Sequence, residues 1–228
     1  CTAAITPGIL LEEFRKLAGK NPLIFFVTIS SGLSAVAQSA NVAAGLLKEE
    51  FPDSSVVAFD SKTCAGAEGM IAIEMAKLAA KGKGLDDLSK AATEMRKVTQ
   101  GVLMLDTVGY TYRSGRMSKA DALETAKKNI KPVNHMSDAG VMEFADLATD
   151  RVEGMNKMIA VVKKYAITDT MHFMVSHADA PDAAQTLIDM IKKEFKVLSI
   201  IVSDYSPVMG YSTGPGAMFI GYHPELKL

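Results

Sequence analysis

The feature that most constrains this 228-residue chain is an alternation. Runs rich in β-branched and aromatic residues give way repeatedly to segments with apolar residues at helical spacing. LIFFVTI (residues 23–29) precedes a stretch from Leu33 to Glu50 in which Leu33, Val36, Ala37, Ala40, Ala43, Ala44 and Leu47 share a helical face. SVVAFD (55–60) then precedes a second helix pattern, Cys64 to Lys81. Strands joined through a helical crossover pair in the same direction, so this order predicts an α/β domain with a mainly parallel sheet.

Thr6-Pro7 ahead of ILLEEFRKLAG places an N-cap and a proline at the first helical position, and Gly19 suits the helix end. After Gly82-Lys83-Gly84 comes a helix, Leu85 to Lys97, and then GVLMLD (101–106), a buried-strand pattern. The domain boundary is placed here, giving an α/β domain over 1–98 and a second α/β domain over 99–228. In the second, a helix is predicted near Ser118 to Asn129, strands at IKPVNHM and VMEFADLA, and a helix from Val152 to Lys164. Strand MHFMVSH, helix Ala180 to Phe195 and strand VLSIIVS follow, before a glycine-rich end, YSTGPGAMFIGY, in which Gly214-Pro215-Gly216 reads as a tight turn.

Lys and Arg number 25 against 26 Asp and Glu, so nothing in the overall charge favours nucleic acid or anionic lipid. Two cysteines, Cys1 and Cys64, make neither a disulfide framework nor a zinc motif, and a reducing cytoplasm fits that usage. The apolar runs are too short to cross a bilayer. A monomer without a cofactor or metal is expected. The chain opens at Cys1-Thr2 without Met, which reads as a partial or processed chain more simply than as an autocatalytic Cys nucleophile.

Ser30, Ser31 and Ser34 stand where the first strand passes into a helix. In open α/β sheets that edge is where ligands bind, and unpaired helix N–H groups there favour anions. A nucleophile elbow requires Gly-x-Ser-x-Gly, and Gly32-Leu33-Ser34-Ala35-Val36 lacks the second glycine. None of His135, His172, His177 and His223 lies in a signature that marks it as the base a serine nucleophile needs. The residues alone therefore leave helix capping, anion binding and serine catalysis open.

Four segments in order resemble the DegV family of fatty-acid-binding proteins, over essentially the whole chain. Thr2-Ala3-Ala4-Ile5-Thr6-Pro7 is similar to the family's Thr-Ser-Gln-Pro-Ser. Ser30 to Ala40 resembles Ser-Ser-x-Leu-Ser-Gly-Thr-Tyr-x-Ser-Ala, with FDSKTCAGAEG (59–69) resembling the Asp-Ser strand end and helix that follow it. Tyr112 to Ser118 is similar to Leu-x-x-Gly-Gly-Arg-Ile-Ser, with Lys131-Pro132 and Arg151 downstream. Gly210 to Gly216 resembles Gly-x-His-x-Gly-Pro-Gly.

The resemblance implies two α/β domains with a ligand tunnel between them, holding one long-chain fatty acid that is presented to a fatty acid kinase, so that the chain itself is not an enzyme. It also implies that the family's first β-α unit is missing before Cys1. The ligand-binding residues it carries over are Thr2, Ser31, Gly32 through its backbone, Ser34, Arg151 and Ser212. Arg113, Arg116 and Arg151 read either as surface charges, the usual fate of arginine, or as residues that steer an anionic head group or a phosphate-bearing partner. The chain departs from the family at Ala3, at Ala35-Val36-Ala37 in place of Gly-Thr-Tyr, and at Ser212 in place of His, all near the head group. A serine-dependent acyl hydrolase and a binder of another small anionic metabolite are the competing readings. The 14 Met and absent Trp suit a pocket that follows a long alkyl chain, though core filling is the commoner use of any single Met.

Overall fold

In the computed structural model, residues 3–226 are described; Cys1 and Thr2, the latter an expected ligand contact, lie outside them. Helix α1 (Pro7–Ala18) leads into strand β1 (Leu23–Thr28), helix α2 (Val36–Glu50) and strand β2 (Ser55–Asp60). Helices α3 (Ala65–Ala80) and α4 (Leu85–Val98) follow, then β3 (Gln100–Met104), α5 (Gly109–Arg113), α6 (Lys119–Lys127), β4 (Lys131–Met136) and β5 (Met142–Ala148). The chain continues through α7 (Arg151–Tyr165), β6 (Thr170–His177), α8 (Pro181–Glu194), β7 (Lys196–Asp204), α9 (Pro207–Thr213) and β8 (Met218–Pro224).

Strands β1 and β2 pair in parallel, Leu23 opposite Ser55 through Thr28 opposite Asp60, as the strand-helix-strand order predicts. The register matters for function because it sets the carboxyl ends of the two strands side by side. Strands β3 to β8 form one mixed sheet of order β5-β4-β3-β8-β6-β7, in which only β6 and β7 are parallel neighbours. Two sheets, each with helices against it, give a two-domain α/β fold.

The central strands of the six-stranded sheet are buried on both faces, while the edge strands β5 and β7 are largely exposed, and alternation along the strands sorts the side chains. Val102, Met104, Met218, Ile220 and Tyr222 join Met155, Met158, Phe173 and Leu187 in a core under α7 and α8. Their neighbours Leu103, Leu105, Ala217 and Phe219 point to the opposite side, against Cys64 and Ala67 at the start of α3. Helix α3 thus comes early in the chain yet covers the later sheet. Its approach is close: a Cβ on Gly221 would lie 2.6 Å from the Ala67 nitrogen, so glycine is required where strand and helix backbones meet.

The sequence reading departs from the structure in three places. No strand is expected in the glycine-rich end beyond its Gly-Pro-Gly turn, whereas the residues after that turn supply β8, which lies between β3 and β6 and is buried along its whole length. Gly221 there marks close backbone approach, not chain flexibility. Helix α2 begins at Val36 and not at Leu33, because the N–H groups of Leu33 and Ser34 both bond the Ser30 carbonyl in a turn, at 3.0 and 3.1 Å. Thr6 occupies the N-cap position of α1, but its hydroxyl makes no capping bond there.

Candidate functional site

The loop between β1 and α2 is held by Ser30. Its side chain is fully buried, and its Oγ donates to the Gly140 carbonyl at 2.6 Å while accepting from the Gly32 N–H at 3.1 Å. The Ser30 N–H in turn bonds the Thr63 carbonyl at 2.8 Å. A hydroxyl so engaged caps no helix: the N-cap of α2 is Ala35, with no side-chain bond. Of the readings left open for the serines, capping is not the role of Ser30, which instead tethers the loop to the β4–β5 turn, 110 residues away. Gly32 packs on the same turn, where a Cβ would fall 2.6 Å from the Gly140 oxygen.

Ser31, by contrast, is exposed. Its N–H bonds Asp60 Oδ1 at 3.2 Å, and its Oγ accepts from Lys62 Nζ at 3.0 Å. Lys62 also pairs with Asp60 Oδ2 at 3.0 Å, and its own N–H reaches Asp60 Oδ1 at 3.0 Å. Partial burial would raise the Asp60 carboxyl, but the bonds from Ser31 and Lys62 outweigh it and hold the group below its ordinary range. Lys62 adopts a left-handed backbone, φ 54°, which an L-residue tolerates at a cost of about 1–2 kcal/mol. Asp60 and Lys62 are absent from the residues expected at the site. The signal was the parallel pairing of β1 and β2, which sets Asp60 opposite Thr28, a few residues before Ser31.

The backbone donors from Ser31 to Ser34 are all engaged within the protein, so the loop offers no open ring of N–H groups to an anion. The Gly32 N–H, expected to reach a ligand, is taken by Ser30. What faces outward is hydroxyl and ammonium. A cavity of about 280 Å³ lies beside this corner, with Lys62, Arg96, Lys97, Gln100, Ser137 and Asp138 in its wall; its polar lining is unsuited to an alkyl chain.

A second group gathers at the Gly-Pro-Gly turn. Arg151, first residue of α7, donates from Nη2 to Asp106 Oδ2 at 2.7 Å, and Lys131 Nζ lies 2.8 Å from Asp106 Oδ1. Burial would raise Asp106, yet these two cations hold it below its ordinary range. Gly216, φ 79°, sits on this pair: a Cβ would meet Asp106 Oδ2 at 2.6 Å and Arg151 Nη2 at 2.9 Å. Ser212 is on α9, which leads into the turn, and its Oγ donates back to the Val208 carbonyl at 3.0 Å. Arg113 stacks on the Tyr110 ring, 4.5 Å from its centroid.

Between the two groups lies an apolar cluster that both domains build. Ile29 and Leu33, which bracket the serines, pack with Cys64 and Ala67 against Leu103, Leu105, Val108, Met136, Ala217 and Phe219. Met117, Met142 and Tyr205 close over it. Ser31, Gly32 and Ser34 thus stand on one flank and Arg151 and Ser212 on the other, with no hydrogen bond or ion pair joining the groups among the described residues.

None of the four histidines bonds a serine of the loop: His135 stacks on Tyr165, His172 stacks on His223, and His177 lies 3.4 Å from Asp204. No group of metal-binding side chains occurs among the described residues, and no helix among them is long and apolar enough to cross a membrane.

The family model for DegV, described as a family of uncharacterised proteins, matches residues 1–225. A DegV domain-containing protein of Lactococcus lactis, YteA, is 26% identical over 219 residues, covering 96% of this chain and 76% of that protein. Among solved structures, a DegV family protein from Eubacterium eligens loaded with heptadecanoic acid superposes with a TM-score of 0.90 at 22% identity, covering 99% of this chain and 80% of the other. A Streptococcus pneumoniae fatty acid kinase B3 protein loaded with linoleic acid superposes with a TM-score of 0.89 at 21% identity, covering 98% and 78%.

Proposed function

The chain belongs to the DegV family, and from that premise we propose that it is a non-enzymatic carrier: it binds one long-chain fatty acid between residues 1–98 and 99–228, with the carboxylate at serine and threonine hydroxyls, and presents it to a fatty acid kinase. The observation that carries this reading is the placing of the serine loop. Ile29 and Leu33 anchor it in the apolar cluster shared by the two domains, while Ser31 between them turns its hydroxyl outward beside Lys62. A polar rim on an apolar junction is what an amphipathic ligand needs: the tail displaces water, and the head group keeps its hydrogen bonds.

The tail supplies most of the affinity. Burying about fifteen methylenes at about 0.8 kcal/mol each amounts to roughly 12 kcal/mol before the cost of immobilising ligand and side chains. The methionines of the cluster, Met117, Met136 and Met142, can change rotamer to admit the chain where the walls now touch. Binding is favoured over hydrolysis because the Ser31 hydroxyl accepts from an ammonium already paired with Asp60, whereas a nucleophile must give its proton to a base.

Native mass spectrometry of the gently purified protein tests the proposal. An adduct of long-chain acyl mass is expected. A protein that carries none and takes up neither palmitate nor oleate sinks the carrier reading, and thermal stabilisation by phosphate compounds alone would favour a small-anion binder.

A further inference from the structure

Two hydroxyls next to the shared apolar cluster have no hydrogen-bond partner although both are enclosed: Tyr205 Oη and Thr63 Oγ1. An enclosed hydroxyl without a partner has lost water and gained nothing, so such groups are rare in native proteins and each calls for a partner, whether an ordered water, an ion or a bound ligand. Tyr205 is half-buried as a residue, but its ring packs on the cluster that also holds Ile29, Leu33, Cys64 and Ala65, and its hydroxyl end is the sealed part. Thr63 ends the β2 turn beside Cys64, and its carbonyl accepts the Ser30 N–H, so it lies at the base of the serine loop. Its backbone is otherwise committed, the N–H bonding Ser61 Oγ at 3.2 Å, which leaves only the side-chain hydroxyl unused.

We propose that Tyr205 and Thr63 are head-group residues of the acyl site, their hydroxyls donating to the carboxyl oxygens of the bound fatty acid. The inference rests on the carrier reading and deepens it. Ser212, on the far flank, turns its hydroxyl back to Val208 within its own helix. Tyr205 presents its hydroxyl on a rigid ring that needs only two torsions fixed, so little side-chain entropy is lost on binding. Burial raises the phenol well above its ordinary value, so it keeps its proton across the working range and has that proton to donate to a carboxylate.

The test is Tyr205→Phe, which removes one oxygen and keeps the ring, with Thr63→Val as an independent second variant. Oleate affinity is measured by titration calorimetry on the delipidated chain, and thermal stability is followed with and without oleate. The expected pattern is a split. Each variant unfolds, without ligand, at the wild-type temperature or above it, because an unpartnered hydroxyl has gone; each binds oleate about tenfold to a hundredfold more weakly, the loss of one charge-assisted donor. A lowered melting temperature with unchanged oleate affinity would make the hydroxyls structural and overturn the proposal, as would wild-type behaviour in both variants. Wild-type protein that binds no fatty acid at all is a different failure, that of the carrier reading itself.

Discussion

Adjacent serines in this chain do opposite work, and removing Ser30 separates them. In Ser30→Ala the Gly140 carbonyl, buried at the β4–β5 turn, loses its 2.6 Å donor, while the Gly32 N–H loses its acceptor but can turn to water. A stranded buried carbonyl costs about 1–3 kcal/mol, and the second bond, replaced by solvent, adds little. A loss of about 2 kcal/mol is expected, which at a urea slope of about 2 kcal/mol/M lowers the unfolding midpoint by on the order of 1 M. Ser31→Ala should leave the midpoint within about 0.3 M, because its side chain is exposed and the surface contact with Lys62 adds little stability. Equilibrium urea unfolding by circular dichroism of the two variants reads both values. If the two midpoints shift alike, Ser30 is not the tether of the loop and the division between structural and ligand-facing serines is wrong.

Ser31→Ala should instead weaken oleate binding by roughly tenfold to a hundredfold while affecting the matching fatty alcohol much less, as competition calorimetry would show; equal losses for acid and alcohol would return the loop to a purely structural role. Gly216→Ala forces a Cβ to within 2.6 Å of Asp106 Oδ2 on a φ of 79°, so a thermal melt should show a loss of at least about 1–2 kcal/mol; an unchanged melt contradicts the packing described. Burial pushes the Glu68 carboxyl up to about 7, above its unfolded value, so the folded state holds the proton more tightly. Its contribution to stability is then greatest at low pH and is lost as pH rises from about 4.5 to about 7, by about 3 kcal/mol at most. Glu68→Gln should flatten that part of the stability profile. Asp106, held low by Lys131 and Arg151, works the other way: its contribution is present above the unfolded carboxylate range and is lost as pH falls through its depressed folded value, a loss that Asp106→Asn abolishes.

Local pattern was enough for the elements whose character is set by neighbours in the chain. The β-branched runs at 23–28, 55–60 and 170–177 became strands, and the periodic segments at 65–80, 85–98 and 181–194 became helices, because the period of apolar residues decides which face can be buried. The order of motifs was also legible, since it is written along one dimension. The central strand β8 was not: its glycines look like turn residues until α3 lies across Gly221, a contact between positions 154 apart. The roles of the serines were hidden for the same reason. Nothing in SSGLS distinguishes Ser30 from Ser31. The distinction arises only when the β4–β5 turn brings the Gly140 carbonyl to one hydroxyl and the parallel register of β1 and β2 brings Asp60 and Lys62 to the other. Likewise a tyrosine at 205 reads as ordinary until packing seals its hydroxyl without a partner. Periodicity is a property of neighbours and survives in the sequence; hydrogen-bond satisfaction is a property of distant groups brought together, and only the tertiary structure decides it.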